Sequence, residues 1–259
     1  MPATLNNKRI LVTRPGHQTE HLCNLISENG GQAISFPTIE IQPVKDSGVL
    51  LSRCNAIFEY DFVIFVSRNA VKIAFELYLD KSGLPKSLQI LAVGAGTADA
   101  LSEMNITNVL HAGVKADSEA LLQLSELQRE RLQDKKILIV RGVGGRELLA
   151  DTLKTRGALV DYAEVYRRCL PEYESSYIHE IWQVIKPAAV IITSNDGLKN
   201  LLILTLVNDQ QQLFKAPLVV MSNRTAELAK ELGFVAETRI AKEKNNEGLL
   251  SALLELVGD

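Results

Sequence analysis

Lys136–Pro171 reads KILIVRGVGGRELLADTLKTRGALVDYAEVYRRCLP, and Lys8–Pro43 reads KRILVTRPGHQTEHLCNLISENGGQAISFPTIEIQP. The later stretch restates the earlier one. Ile137 matches Ile10, Arg141 matches Arg14, Glu147 matches Glu20 and Gly157 matches Gly30, each pair 127 residues apart. Further along, Val63–Ser67 (VIFVS) aligns with Val190–Ser194 (VIITS) at the same spacing. Thr97-Ala98-Asp99 aligns with Thr225-Ala226-Glu227, and Ser118–Leu122 with Asn246–Leu250, both at a spacing of 128. The chain is therefore read as a tandem duplication of one α/β unit of roughly 125–130 residues.

Within each copy, short apolar β-rich runs alternate with segments of helical periodicity. Arg9–Thr13, Asp61–Val66 and Gln89–Val93 in the first copy, with Ile137–Val140, Ala188–Thr193 and Leu218–Met221 in the second, are runs of consecutive apolar residues with polar ones only at their ends. Such runs mark strands covered on both faces. Alternation with helices predicts right-handed βαβ units and parallel sheets, hence an α/β fold of two parallel-sheet domains. Two segments interrupt the pattern. Thr38–Pro43 lies between Pro37 and Pro43, and Glu164–Leu170 is closed by Pro171. Strands flanked by proline are peripheral or linking.

Composition narrows the class of function. The 259 residues are 46% hydrophobic and 23% charged, with a net charge of −3 and one Trp. No block of like charge suggests a nucleic-acid arm, and there are too few aromatics for base stacking. Three cysteines without a CxxC fit a reducing compartment. The N-terminus has no signal-peptide pattern, and the apolar run Leu201–Val207 is far short of the roughly 20 residues of a membrane span. A cytoplasmic protein without nucleic-acid or membrane partners is expected.

Ligands of open α/β sheets bind beyond the carboxyl ends of the strands. That rule selects Arg14 and Arg141 with Gly142 after the first strand of each copy. It selects Ser67-Arg68-Asn69 and Ser194-Asn195 after the third, and Gly94 to Thr97 and Ser222 to Thr225 after the fourth. Each group sits before a helix N-terminus, where free N–H groups and the helix dipole favour anions by about 0.3–1 kcal/mol. Ser67, Thr97, Ser194 and Thr225 equally read as N-caps, and the two arginines as surface charges. Two domains offering such ends suit a ligand with several carboxylates or phosphates.

Other chemistries fail on their spacing. Gly142-Val143-Gly144 begins a dinucleotide fingerprint, but the third glycine position is Glu147, a carboxylate where a pyrophosphate would lie. There is no GxxxxGK[ST] and no GxSxG. His17 and His21 have a metal-ligand spacing without a third ligand. Any enzyme activity is expected to work by positioning, hydrogen bonding and proton transfer, with no cofactor and no metal.

Six stretches in their order resemble the uroporphyrinogen-III synthase family: ILVTRP near the start, FVSRNAV at Phe65–Val71, AVGAGTADAL at Ala92–Leu101, RG at Arg141-Gly142, VYRR at Val165–Arg168 and ITSNDGL at Ile192–Leu198. The resemblance spans nearly the whole chain. It implies two flavodoxin-like domains joined by a two-stranded β linker at about 38–43 and 166–171. One domain would be discontinuous, 1–37 with 171–259, and the other would be 38–170. It implies a cofactor-free lyase, working as a monomer, that takes hydroxymethylbilane, handed over from hydroxymethylbilane synthase, and makes uroporphyrinogen III with loss of water and inversion of the last ring. Tyr166 matches the family's tyrosine beside the linker. A phenol keeps its proton at neutral pH and can assist departure of a hydroxyl. Ser67, Thr97, Ser194 and Thr225 match the family's hydroxyl positions, with Arg14, Arg68, Asn69, Gly94, Arg141, Gly142 and Asn195 as substrate-binding neighbours. In the second copy, Ser222 stands where the first has Gly94. The alternatives from other classes are a cytoplasmic two-domain anion-binding or sensing protein without catalysis, and a nucleotide-sugar transferase.

Overall fold

The computed structural model describes residues 4–16, 19–45, 48–113 and 117–258. In chain order the strands are β1 (Arg9–Val12), β2 (Gln32–Ser35), β3 (Glu40–Pro43), β4 (Phe62–Phe65), β5 (Gln89–Ala92), β6 (Val109–His111), β7 (Lys136–Gly142), β8 (Leu159–Cys169), β9 (Ala189–Ile192), β10 (Leu218–Val220) and β11 (Thr238–Ile240). The chain divides into two compact units. One is Met1–Glu40 with Cys169–Asp259, and the other is Ile41–Arg168.

The discontinuous unit has the sheet order β2-β1-β9-β10-β11, with every pair parallel. The continuous unit has β3-β8-β7-β4-β5-β6, and its last five strands pair in parallel. Both sheets therefore repeat one doubly wound, flavodoxin-like order, in which the first strand of a copy lies between its own second strand and the third strand of the other copy. The two copies have exchanged halves. Strands β1 and β2 of the first copy are completed by β9–β11 of the second, and β7 and β8 of the second by β4–β6 of the first.

The apolar runs form these strands because both faces of each sheet are covered. In the discontinuous unit Leu11, Val190, Ile192, Leu218 and Val220 enter one core, and Ile10, Val12, Ile191 and Val219 enter the other. In the continuous unit Val63, Phe65, Leu138 and Val140 face one way, and Phe62, Ile64, Ile137 and Ile139 the other. Alternate side chains on opposite faces with helices against each make the run apolar throughout.

One core of the discontinuous unit is anchored by an unanticipated helix, Ser175–Glu180, continued by a wider π turn over Ile181–Ile185. It contributes Ile178, Ile181 and Trp182, the last only 1% exposed. Trp182→Ala is expected to destabilise this unit by about 3–5 kcal/mol, read as a lower urea midpoint with unchanged slope.

One detail corrects the expected layout. The strand Leu159–Tyr162 and the linking segment after it are one 11-residue strand, β8. The two expected linker stretches fall on β3 and β8, which are neighbours in the six-stranded sheet, and the chain passes from one unit to the other at Glu40–Ile41 and at Arg168–Cys169. Against β7, β8 has a register shift. Arg141 pairs with Glu164 and the next residue, Gly142, pairs with Tyr166, which leaves Val165 as the extra residue of a bulge. A bulge re-aims the side chain that follows it.

Candidate functional site

That bulge directs Tyr166. Regular alternation would put Tyr166 on the face of Tyr162, but it joins Val165 in the opposite core. Its ring lies over the end of β7 at Gly142. A Cβ built on Gly142 would stand 2.6 Å from Tyr166 Cζ and 3.1 Å from its oxygen, so only glycine leaves room. The phenol oxygen is 3.2 Å from Ser67 Oγ, just beyond β4. Ser67 is the N-cap of the helix Arg68–Leu77, and its Oγ accepts the Ala70 N–H at 3.1 Å. Tyr166 is 2% exposed and is one of the residues lining a cavity of about 380 Å³.

The cavity lies over the loop that follows β7, and Arg141 gives that loop its shape. Expected to face a ligand or to be a surface charge, Arg141 is instead only 5% exposed. Its Nη1 meets Glu147 Oε1 at 3.1 Å, its Nε donates to Gly142 O at 3.2 Å and lies 3.7 Å from Glu164 Oε1, and its Nη2 donates to Gly144 O. The guanidinium also stacks on the Tyr162 ring, 4.5 Å from its centroid. All three nitrogens are engaged within the protein.

Tyr162 donates to Glu147 Oε2. That bond, ahead of Arg141, holds the Glu147 carboxyl below its usual range. Burial first, and then the same bond, push the Tyr162 phenol up to about 12. Gly144 and Gly145 have φ of 72° and 107°, which side chains disfavour, so the GVGG turn around Arg141 needs both. In the sequence Glu147 stands out as the repeat match of Glu20 and as a broken glycine fingerprint, while Tyr162 and Glu164 carry no such mark. The available signal is Tyr162 and Glu164, two apart on one strand, beside a strand ending in arginine.

The other expected residues fall into two groups. In the continuous unit, Arg68 Nε donates to Gly96 O at 2.7 Å, which ties the helix after β4 to the helix after β5. Gly94 caps that second helix, Ala95–Ser102, so Thr97 is not the cap as expected but sits within the first turn, 7% exposed. Asn69 is half-buried in the first turn after Ser67.

In the discontinuous unit, Ser194 caps Asn195–Leu204 and accepts the Gly197 N–H at 3.0 Å. Ser222, not Thr225, caps Asn223–Glu231. Its φ of −155° matches the −152° of Gly94, extended backbone that any residue adopts, so serine replaces glycine there without strain. Thr225 Oγ1 donates to Asn195 Oδ1 at 2.9 Å, which joins two expected residues. Arg14 stands apart from them. Its Nη1 donates to Asn246 Oδ1 at 2.5 Å, and burial lowers its pKa. His17 lies outside the described residues, and His21 Nδ1 is 2.8 Å from Asn246 Nδ2. Among the described residues no group of three or more His, Cys, Asp or Glu could hold a metal ion, and no helix is long and apolar enough to cross a membrane.

A family model described as Uroporphyrinogen-III synthase HemD matches residues 20–251. The chain belongs to the uroporphyrinogen-III synthase family. Among curated relatives, the uroporphyrinogen-III synthases of Escherichia coli and Salmonella typhimurium are 35% and 36% identical over 94% of this chain and 99% of theirs. Solved structures agree in fold. A mutant uroporphyrinogen III synthase of Thermus thermophilus and the uroporphyrinogen-III synthetase of Helicobacter pylori each superpose with a TM-score of 0.58, at 17% and 18% identity, covering 96% of this chain and 99% of theirs. Family membership places the chain among the lyases of tetrapyrrole synthesis. The anion-sensing and sugar-transferase alternatives are set aside on the same ground.

Proposed function

We propose that the chain converts hydroxymethylbilane into uroporphyrinogen III, with Tyr166 as the acid that assists loss of water. The observation that carries this reading is the placement of the Tyr166 phenol, which is held against Ser67 at the carboxyl end of the sheet and open to the cavity. The C–O bond of the hydroxymethyl group breaks as its oxygen takes up a proton, and water leaves. What remains is an electron-poor azafulvene. The substituted carbon of the terminal ring attacks it, the bond from that carbon to its original bridging methylene then breaks, and that methylene rejoins the ring at its free α-carbon, which leaves the ring inverted.

Ser67 Oγ already accepts the Ala70 N–H, so its own O–H is free to donate to the Tyr166 oxygen. With Ser67 donating, the phenol proton is left available for the substrate. The same bond also stabilises negative charge on the phenol oxygen during transfer, next to a helix N-terminus whose dipole favours an anion. The ring carbon that loses hydrogen on closure returns the proton, so Tyr166 ends as it began.

No residue of this set forms a covalent bond to substrate. Catalysis of this kind rests on holding the bilane with its ends together and on one positioned donor. Thr97, Ser194, Asn195 and Thr225, with Arg14, Arg68, Asn69 and Gly94, are read as binding groups for the carboxylated arms. We read the protein as a cytoplasmic monomer that receives its bilane from the synthase that makes it, since free bilane closes on its own to the type I isomer.

The test is an isomer assay. Hydroxymethylbilane is generated in place, the metal-free protein is added, and the oxidised products are resolved. Dominant type III product is expected. Type I alone from a folded protein overturns the proposal.

A further inference from the structure

The cavity beside Tyr166 offers cationic groups that the acid step does not use, and we propose that Arg168, assisted by Arg146, binds a carboxylate arm of the substrate there. The inference rests on the function proposed above and names a subsite within it.

Some of the cationic groups at the cavity are already occupied. Arg141 reaches the same cavity, but its three nitrogens face Gly142 O, Gly144 O, Glu147 and Glu164. Two carboxylates against one guanidinium leave the loop with one negative charge, so a carboxylate arm needs cations other than Arg141. Arg168 differs. It is exposed, lines the cavity, and has no hydrogen-bonding or ionic partner among the described residues. It follows Tyr166 by two residues on β8, so beyond the bulge its side chain leaves the strand on the same face as the phenol.

Arg146 also lines the cavity. Its contact is Glu119 at 3.7 Å, with side chains 74% and 54% exposed. A pair so open to water holds weakly and yields readily to a better-placed anion. Ser118 adds a hydroxyl to the lining.

Size and chemistry then select the ligand. About 380 Å³ is at the low end for a small-molecule site, enough for one pyrrole ring with its acidic arms and too little for a whole tetrapyrrole. An arginine fork matches a carboxylate with two parallel hydrogen bonds, which an ammonium cannot reproduce. An arm held by Arg168 would bring its ring to Tyr166, whose oxygen is the acid of the proposed step. The subsite would therefore set which ring meets the acid.

The experiment measures type III formation against bilane concentration for the wild type, Arg168→Ala, Arg168→Lys and Arg146→Ala, at low and high salt. Losing a charge-assisted contact made equally in ground and transition states raises KM and leaves kcat nearly alone. Arg168→Ala is expected to raise KM roughly tenfold or more, Arg168→Lys to fall between it and the wild type, and Arg146→Ala to raise it less. The wild-type KM should rise more steeply with salt than that of Arg168→Ala. Type III product from the wild type with an unchanged KM in Arg168→Ala overturns the subsite and leaves the function standing. Type I product alone from the wild type overturns the function, and the subsite with it.

Discussion

Tyr166→Phe is expected to lower kcat on the order of 100-fold, the usual scale for losing a positioned proton donor, with little change in KM. The ring remains, still seated over Gly142, so whatever the ring packs against is kept. Only the oxygen shared with Ser67 and the cavity is lost. Ser67 keeps its N-cap bond to Ala70 N–H and loses only its contact with the phenol, so the stability cost should be about 1 kcal/mol. Product identity supplies a second readout. Bilane that is bound but not processed escapes and closes to the type I isomer, so the type III fraction should fall with kcat. Steady-state kinetics with isomer separation checks both. A variant with wild-type kcat would remove the acid role from Tyr166. Ser67→Ala should have a smaller effect, because the phenol survives and only its orientation is loosened; the lost cap adds about 1 kcal/mol of instability.

What the sequence makes legible, and what it hides, follows from which forces are local. The strands are readable because the covered part of a strand buried on both faces must be apolar, as ILV of β1 and FVIF of β4 are. The duplication is readable because residues of equal role recur at equal spacing. Which half-copies pair is not readable from that spacing, because a period states that two copies exist and says nothing of how they combine; the discontinuous layout comes from resemblance to a family. The helix over Ser175–Ile185 escapes notice although Ile178, Ile181, Trp182 and Ile185 have helical spacing. Its short run after Pro171 lacks a capping side chain, and it ends at Lys186 in a left-handed turn. Ser67 stands at a helix start, as its sequence context indicates. Thr97 and Thr225 are displaced from caps because Gly94 and Ser222 take that position. The bulge at Val165 leaves no mark, having neither Gly nor Pro to announce it. Arg141 is misjudged for a related reason. An arginine at a strand end is exposed by default, and only the folded loop supplies the carbonyls, carboxylates and ring that bury it.

Gly142→Ala is expected to impair the reaction about as much as removing the phenol, although position 142 bears no functional group. The backbone does not demand glycine there, since Gly142 is not among the residues with positive φ. The demand comes from Tyr166. An added Cβ would lie 2.6 Å from Cζ and 2.7 Å from Cε2, closer than real contacts allow. The obstructed atoms belong to a rigid ring, so no flexible tip can give way. Gly142 is itself paired to Tyr166 in the ladder, and Val143 N–H donates to Tyr166 O at 2.7 Å, so the two backbones cannot part easily. The ring must swing off β7, and the bond to Ser67 goes with it. Overpacking of this kind costs about 1–3 kcal/mol, a modest loss of stability that urea titration would register. Loss of kcat from mere instability would add to the loss from Tyr166→Phe. Loss from misplacing the phenol would not, because a ring without its oxygen has nothing left to misplace. The double variant Gly142→Ala/Tyr166→Phe should therefore turn over within a few-fold of Tyr166→Phe alone, the non-additivity expected of residues acting as one unit. A Gly142→Ala protein with full kcat and type III product would show that the phenol works from some other position than the one β7 and β8 give it. Multiplicative losses in the double variant would assign glycine at 142 to the stability of the loop and leave the aim of Tyr166 to the bulge and Ser67.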